Sequence, residues 1–151
     1  WRTLAEPIPS DLRPVTEIRV IQPDEARVFA QVVTAGFMEV EEVPAAAAEG
    51  FLPTTRARGT LCILGFVDGT PAAAGTLAIS GEVAVLSGTS VLPRFRGQGL
   101  QRALIATRLA LAKERGCTQA TSATLPGTAS QTNLERLGFG VAYPKVELVR
   151  V

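Results

Sequence analysis

The stretch from Val83 to Glu114 constrains this chain more than any other. An apolar, β-branched run from Val83 to Val91 reads as a strand, and Pro93 ends it. The basic loop Arg94-Phe95-Arg96-Gly97-Gln98-Gly99 follows. From Leu100 to Glu114 a stripe of Leu100, Ala103, Leu104, Thr107 and Leu111 recurs at helical spacing. Arg115-Gly116 is a helix stop, and Gln119 to Thr124 reads as a second strand. Two strands joined through a helix lie parallel in one sheet with a right-handed crossover. The chain therefore builds a sheet with at least one helix packed on it.

The residues before this unit add antiparallel strands. Thr60 to Val67 and Ala72 to Ser80 flank Asp68-Gly69, a strong hairpin turn, with Gly75 as the expected site of a bulge. Gly81-Glu82 turns the chain into Val83. Further upstream, Thr16 to Ile21 is a first strand. Ala26, Phe29, Ala30, Val33 and Phe37 mark a helix that Gly36 weakens near its end. The alanine run before Gly50 predicts a second, short helix, and Pro53 to Arg56 a loop. Downstream, Ser130 to Arg136 is a short helix, and Phe139 to Val151 alternates as a closing strand or strand pair. The predicted fold is α+β, a mixed, mostly antiparallel central sheet with helices on both faces, in the order β-α-α-β-β-β-α-β-α-β. Residues 1–15, with Glu6-Pro7-Ile8-Pro9-Ser10-Asp11 as linker, read as an N-terminal extension trailing from an upstream domain; residues 16–151 form one domain.

Composition removes several function classes. Fifteen basic residues face fourteen acidic ones, and a net charge of +1 gives no reason to expect nucleic acid or an anionic membrane as partner. There is no histidine, which excludes histidine bases and Ser-His triads. Cys62 and Cys117 lack metal-ligand spacing, so no metal is expected; they read as reduced, buried thiols of a cytoplasmic protein. No apolar run is long enough to span a bilayer, and the N-terminus carries no signal pattern.

The chemistry concentrates at the loop. A helix N-terminus presents unpaired N–H groups and partial positive charge, and glycines let a ligand approach the backbone. With Arg94, Arg96 and Arg102 beside it, the junction predicts a pyrophosphate-bearing ligand. A P-loop would need Lys-Ser/Thr where Leu100-Gln101 stands. A dinucleotide fingerprint would follow the first strand of a βαβ unit, whereas this loop follows three antiparallel strands.

Val91-Leu92-Pro93-Arg94-Phe95-Arg96-Gly97-Gln98-Gly99-Leu100, continued by Ala103-Leu104-Ile105, resembles the acetyl-CoA-binding motif of the GNAT superfamily, Q/R-x-x-G-x-G/A at a strand–helix junction. Asn133-Leu134-Glu135-Arg136-Leu137-Gly138-Phe139 resembles the family's last motif, which ends in a similar L-G-F. The resemblance runs from Thr16 to the C-terminus and implies a GNAT-like fold. The motif fits literally on Arg94, Gly97 and Gly99. Aligning the helix start instead puts Arg96 first, Gly99 fourth and Gln101 last, and we favour this second register. Gln101 then departs from a small residue, which is tolerable if its side chain points away from the pyrophosphate.

The resemblance implies transfer of an acetyl group from acetyl-CoA to a primary amine, directly in a ternary complex. Backbone amides of Gly97, Gln98, Gly99, Leu100, Gln101 and Arg102, with Arg96, would hold the phosphates. Ser90 and Val91 would offer backbone groups to pantetheine where the parallel strands part, and Thr89 would flank the thioester. Many relatives use a tyrosine as general acid in the last helix; here that position is Leu134, leaving Ser130 and Asn133 as possible donors to the cofactor. Tyr143, the only tyrosine, reads as a sheet residue. Glu82 is the candidate base at the start of the strand leading to the site, and Glu39, Glu41 and Glu42 are candidates for a cationic acceptor's pocket. The alternative is a non-catalytic module of this fold, part of a larger protein, that binds acyl-CoA without turnover; on either reading the expected further partner is a second copy of the chain, as a homodimer, or an upstream domain.

Overall fold

The computed structural model describes residues 1–5, 7 and 17–145. Its strands are β1 (Arg2–Thr3), β2 (Glu17–Val20), β3 (Thr60–Val67), β4 (Thr70–Ser80), β5 (Val83–Val91) and β6 (Gln119–Ser122). Its α-helices are α1 (Ala26–Met38), α2 (Ala45–Ala48), α3 (Leu100–Glu114) and α4 (Ala129–Arg136). They form one six-stranded sheet in the order β1-β6-β5-β4-β3-β2. Only β5 and β6 run parallel; every other neighbouring pair is antiparallel. The sheet is thus mixed and mostly antiparallel, as the sequence implies. Among the described residues, no helix is long and apolar enough to cross a membrane.

Strand alternation sends successive side chains to opposite faces, and β3 shows how this divides the core. Ile63 points into a cluster with Leu77, Leu86, Ile105 and Leu109 beneath α3 and α4. Cys62, Leu64 and Phe66 point the other way, against Phe29 and Val33 of α1. Each such aliphatic or aromatic side chain contributes about 1.5–3 kcal/mol when fully buried. The Asp68-Gly69 turn fixes the β3–β4 register: φ is positive at both residues (48° and 73°), as a two-residue primed hairpin turn requires.

Both helix layers sit close to the sheet because glycine faces them. A Cβ on Gly36 of α1 would lie 2.7 Å from Ser90 Cβ, and one on Gly75 of β4 would lie 2.5 Å from Leu104 Cδ2 of α3. Gly36, expected to weaken α1, instead lies buried within it at the point of closest approach to β5.

The two ends of the chain depart from the sequence reading. Arg2–Thr3, read as part of an extension, forms β1 against β6, with Arg2 opposite Ala120. Leu4 is buried, and its N–H donates to Thr118 O at 2.8 Å. The buried Arg2 guanidinium donates to the carbonyls of Leu137 and Pro7. Conversely, residues 139–145 of the expected closing strand form none, and residues 146–151 lie outside the described ones. The edge of β6 is already taken by β1, and Gly140 pairs instead with Trp1 through two backbone bonds of 2.8 and 2.9 Å. In the middle, residues 49–56 form a 3-10 segment where a loop was expected at Pro53 to Arg56.

Candidate active site

The parallel strands pair only from Val83 to Leu86 and from Gln119 to Ser122. Ser122 Oγ donates to Leu86 O at 2.9 Å, and beyond this point the two strands part. From Ser87 to Val91, β5 has no strand on its β6 side. The ladder to β4 also slips here: Thr76 faces Ser87, but Ala74 faces Ser90. Gly88 and Thr89 together oppose Gly75, so the bulge lies on β5, with Gly88 at φ 60°, and not on β4 as Gly75 suggested. Leu92 N–H donates to Ala72 O at 2.9 Å. Antiparallel alternation therefore turns the N–H and C=O of Val91 away from β4, toward the open edge.

That edge leads into the loop. Pro93–Phe95 makes a 3-10 turn, Gly97 and Gly99 adopt φ of 74° and 84°, and Gly99 caps α3. Those backbone angles are left-handed, which glycine adopts without strain. The first intrahelical bond is Ala103 N–H to Gly99 O, and the N–H groups of Gly97, Gln98, Gly99, Leu100 and Gln101 have no partner among the described residues. A Cβ built on Gly97 or Gly99 would meet no described atom within 4 Å apart from its chain neighbours. Five N–H donors without a partner among the described residues, a helix dipole and open space on the glycine side fit an anionic phosphate group.

The arginines behave differently from the expectation. Arg96 reaches back across the open edge, donating to Val91 O (3.3 Å), Gly36 O (3.1 Å) and Glu39 Oε1 (2.9 Å). It ties the loop to the C-terminus of α1, where Glu39 has turned left-handed (φ 58°), and its charge meets Glu39 rather than the glycines. Arg94 pairs with Glu41 at 3.2 Å and lies over the Phe95 ring. Arg102 belongs to the first turn of α3. The Gln98 amide donates to Arg94 O. Gln101 turns its side chain to α4: its amide donates to Ser130 Oγ (3.1 Å), and its carbonyl accepts from Asn133 Nδ2 (2.7 Å). The site thus brings together the loop, Gln101, Ser130 and Asn133, and Gln101 is clear of its own backbone N–H.

Other candidates fall elsewhere. Glu82 sits at the opposite end of β5, roughly 30 Å along the strand from Val91, where its backbone and carboxylate bind Thr118. From the bulge at Thr89 it is seven residues away, roughly 23 Å of strand, too far for direct contact with a group bound there. Ser90 turns its hydroxyl to Val32 O on the α1 side, and its backbone, opposite Ala74, faces β4, so of the two expected pantetheine contacts only Val91 points its backbone to the open edge. Leu134 is buried in the α3–α4 core. Tyr143, expected in a strand, lies outside any and is exposed. Glu41 and Glu42 line a cleft of about 290 Å³ with Val32, Leu92 and Arg94. Among the described residues no group of His, Cys, Asp or Glu could hold a metal ion.

Arg108 of α3 was not anticipated. It is fully buried and donates to Leu104 O, Thr76 O, Ser87 O and Thr89 Oγ1 at 2.7–3.2 Å, directly beneath the bulge. Burial pushes its guanidinium down to about 9, so it stays cationic at neutral pH. Its position four residues after Leu104, within the apolar stripe, is the sequence signal that could have marked it.

The chain matches the acetyltransferase (GNAT) family over residues 28–139. No curated protein matches it. Among solved structures it is similar to the aminoglycoside N-acetyltransferase AAC(6')-Iy in complex with the bisubstrate analogue CoA-S-monomethyl-acetylneamine, at 21% identity and TM-score 0.72, over 89% of this chain and 97% of that one. It is similar to an acetyltransferase of Trypanosoma brucei, at 20% identity and TM-score 0.68, over 89% and 99%. Glucosamine-6-phosphate N-acetyltransferase of Arabidopsis thaliana is alike at 17% identity and TM-score 0.67, over 88% and 97%. These identities establish likeness of fold, and the family match, which spans most of the chain, establishes membership. With a parted parallel strand pair, a glycine-capped helix and this match, the chain belongs to the acetyltransferase (GNAT) family.

Proposed function

We propose that this protein transfers an acetyl group from acetyl-CoA to a primary amine, directly in a ternary complex. The observation that carries the reading is that the N–H groups of Gly97 to Gln101, which have no partner among the described residues, lead onto the stretch of β5 from Val91 to Ser87 that has no strand on its β6 side. The loop amides would hold the pyrophosphate, and the β5 edge would hydrogen-bond the pantetheine amides as a missing strand would. Acetyl-CoA supplies an activated thioester. The chain's part is to align it with the amine, and alignment alone accounts for a large share of such an acceleration. Arg96 braces the arrangement by joining the loop, β5 and α1.

A second reading, a module that binds acyl-CoA without turnover, is favoured by one feature: the position where many relatives place a tyrosine is the buried Leu134. Release of CoA thiol from acetyl-CoA, measured with a thiol reagent across a panel of primary amines, separates the two. Amine-dependent release supports transfer. Binding of acetyl-CoA without release by any amine supports the module.

A further inference from the structure

Thr89 of β5 and Arg108 of α3 are joined by a hydrogen bond at the bulge. Side chains alternate along β5, so while Ser90 turns to α1, Thr89 turns to the α3 face. That is the face on which α4 and Leu134 pack. Arg108 Nη2 donates to Thr89 Oγ1 at 2.7 Å and thereby occupies an oxygen lone pair. The Thr89 O–H proton is left pointing elsewhere, and no acceptor for it exists among the described residues. A charged donor on a hydroxyl oxygen polarises it and strengthens its own donation. Arg108 forms no ion pair among the described residues, so nothing on the protein neutralises that effect. Its other bonds, to the carbonyls of Leu104, Thr76 and Ser87, fix the guanidinium and the bulge together.

The location follows from the donor site proposed above, on which this inference rests. With phosphates at the α3 N-terminus and the arm laid along the open edge from Val91, the sulfur end arrives at the bulge beside the fork. We propose that Thr89 Oγ donates the hydrogen bond received by the departing sulfur, and that Arg108 is the positioning residue that aims and polarises that hydroxyl. In the transfer, the amine lone pair forms the new N–C bond while the electron pair of the broken C–S bond goes to sulfur. The proton released by nitrogen passes to water. The sulfur leaves as thiolate under the Thr89 O–H and is protonated by solvent afterwards. Thr89 thus stabilises the leaving thiolate by a hydrogen bond, without transferring its own proton, where Leu134 offers no donor.

The test uses CoA itself and needs no acceptor. The thiol of bound CoA is titrated through the ultraviolet absorbance of its thiolate, in the wild-type protein and in Thr89→Val, Thr89→Ser and Arg108→Lys. An ordinary thiol titrates near 8.5, and a hydrogen bond to the anion should lower the bound thiol by about one unit in the wild type. Thr89→Ser should keep that shift, Arg108→Lys should lose part of it, and Thr89→Val should return the thiol to its value in free CoA. If Thr89→Val binds CoA with the wild-type thiol pKa, the inference is overturned and the donor site stands. If wild-type protein does not bind CoA at all, the donor site itself is wrong. Should Arg108→Lys fail to fold, the two Thr89 variants still decide the outcome.

Discussion

Replacing Gly36 by alanine sets two effects of known size against each other. In the interior of a helix, alanine is favoured over glycine by about 1 kcal/mol, so on propensity the change should stabilise α1. The structure opposes it. The new Cβ would meet Ser90 Cβ at 2.7 Å, Ser90 Oγ at 2.9 Å and the Val91 backbone nitrogen at 3.2 Å. None of these is the free end of a flexible side chain, so α1 must move off β5. Overpacking of this kind costs about 1–3 kcal/mol. The Ser90 Oγ to Val32 O bond, which spans the same contact, is worth about 1 kcal/mol more if broken. The expected net loss is about 2 kcal/mol, a melting point lower by roughly 4–8 °C for a domain of this size. Urea denaturation should show a lower midpoint with unchanged slope. Because Ser90 and Val91 border the open edge, CoA affinity should fall as well. Gly50→Ala is the control, since its Cβ meets nothing within 4 Å. A Gly36→Ala protein as stable as wild type, or more so, would refute the argument that α1 is held against β5 by this one missing methyl.

Other changes test other parts of the site. Gly99→Val forces a β-branched residue into φ 84° and places a side chain over the loop amides; CoA binding, followed by thermal shift, should weaken at least about tenfold. Glu82→Gln should leave CoA binding and turnover at wild-type levels in the same assays, because it lies at the far end of β5. At low pH the Arg19–Glu25 pair matters. The guanidinium holds the Glu25 carboxyl at about 2, below its ordinary 4.5, so the pair's contribution is complete above that ordinary value and fades as pH falls through about 2. Acid denaturation of Glu25→Gln should accordingly be shallower than that of wild type. Cys62 and Cys117 are buried, and burial pushes the Cys62 thiol up to about 11; neither should react with a thiol reagent at neutral pH until the protein unfolds.

What could be read from the sequence is what local pattern determines. The limits of β5 at Val83 and Val91 and of α3 at Leu100 and Glu114 agree with the sequence reading, because β-branched runs, a proline and two glycines punctuate them. β1 could not be read: two residues carry no period, and Arg2–Thr3 is a strand only because β6 offers an edge. The bulge went to the wrong strand because glycine stands on both sides of the slip, and only the register shows that β5 holds the extra residue. Arg96 and Arg94 looked like phosphate ligands by their place in the motif, but Glu39 and Glu41, more than fifty residues upstream, draw them toward α1. Arg108 escaped notice for the opposite reason. Its charge interrupts an apolar stripe, and its partners are backbone carbonyls exposed by the bulge, which no side-chain pattern announces.

Whether the loop and the open edge of β5 form one acyl-CoA site is tested most directly by calorimetric titration of the protein with CoA and acetyl-CoA. Binding in the micromolar range, on the order of −8 kcal/mol, with a matching rise in melting temperature and its loss in Gly99→Val, is the predicted result. Absence of binding by both ligands to a folded wild-type protein would contradict it.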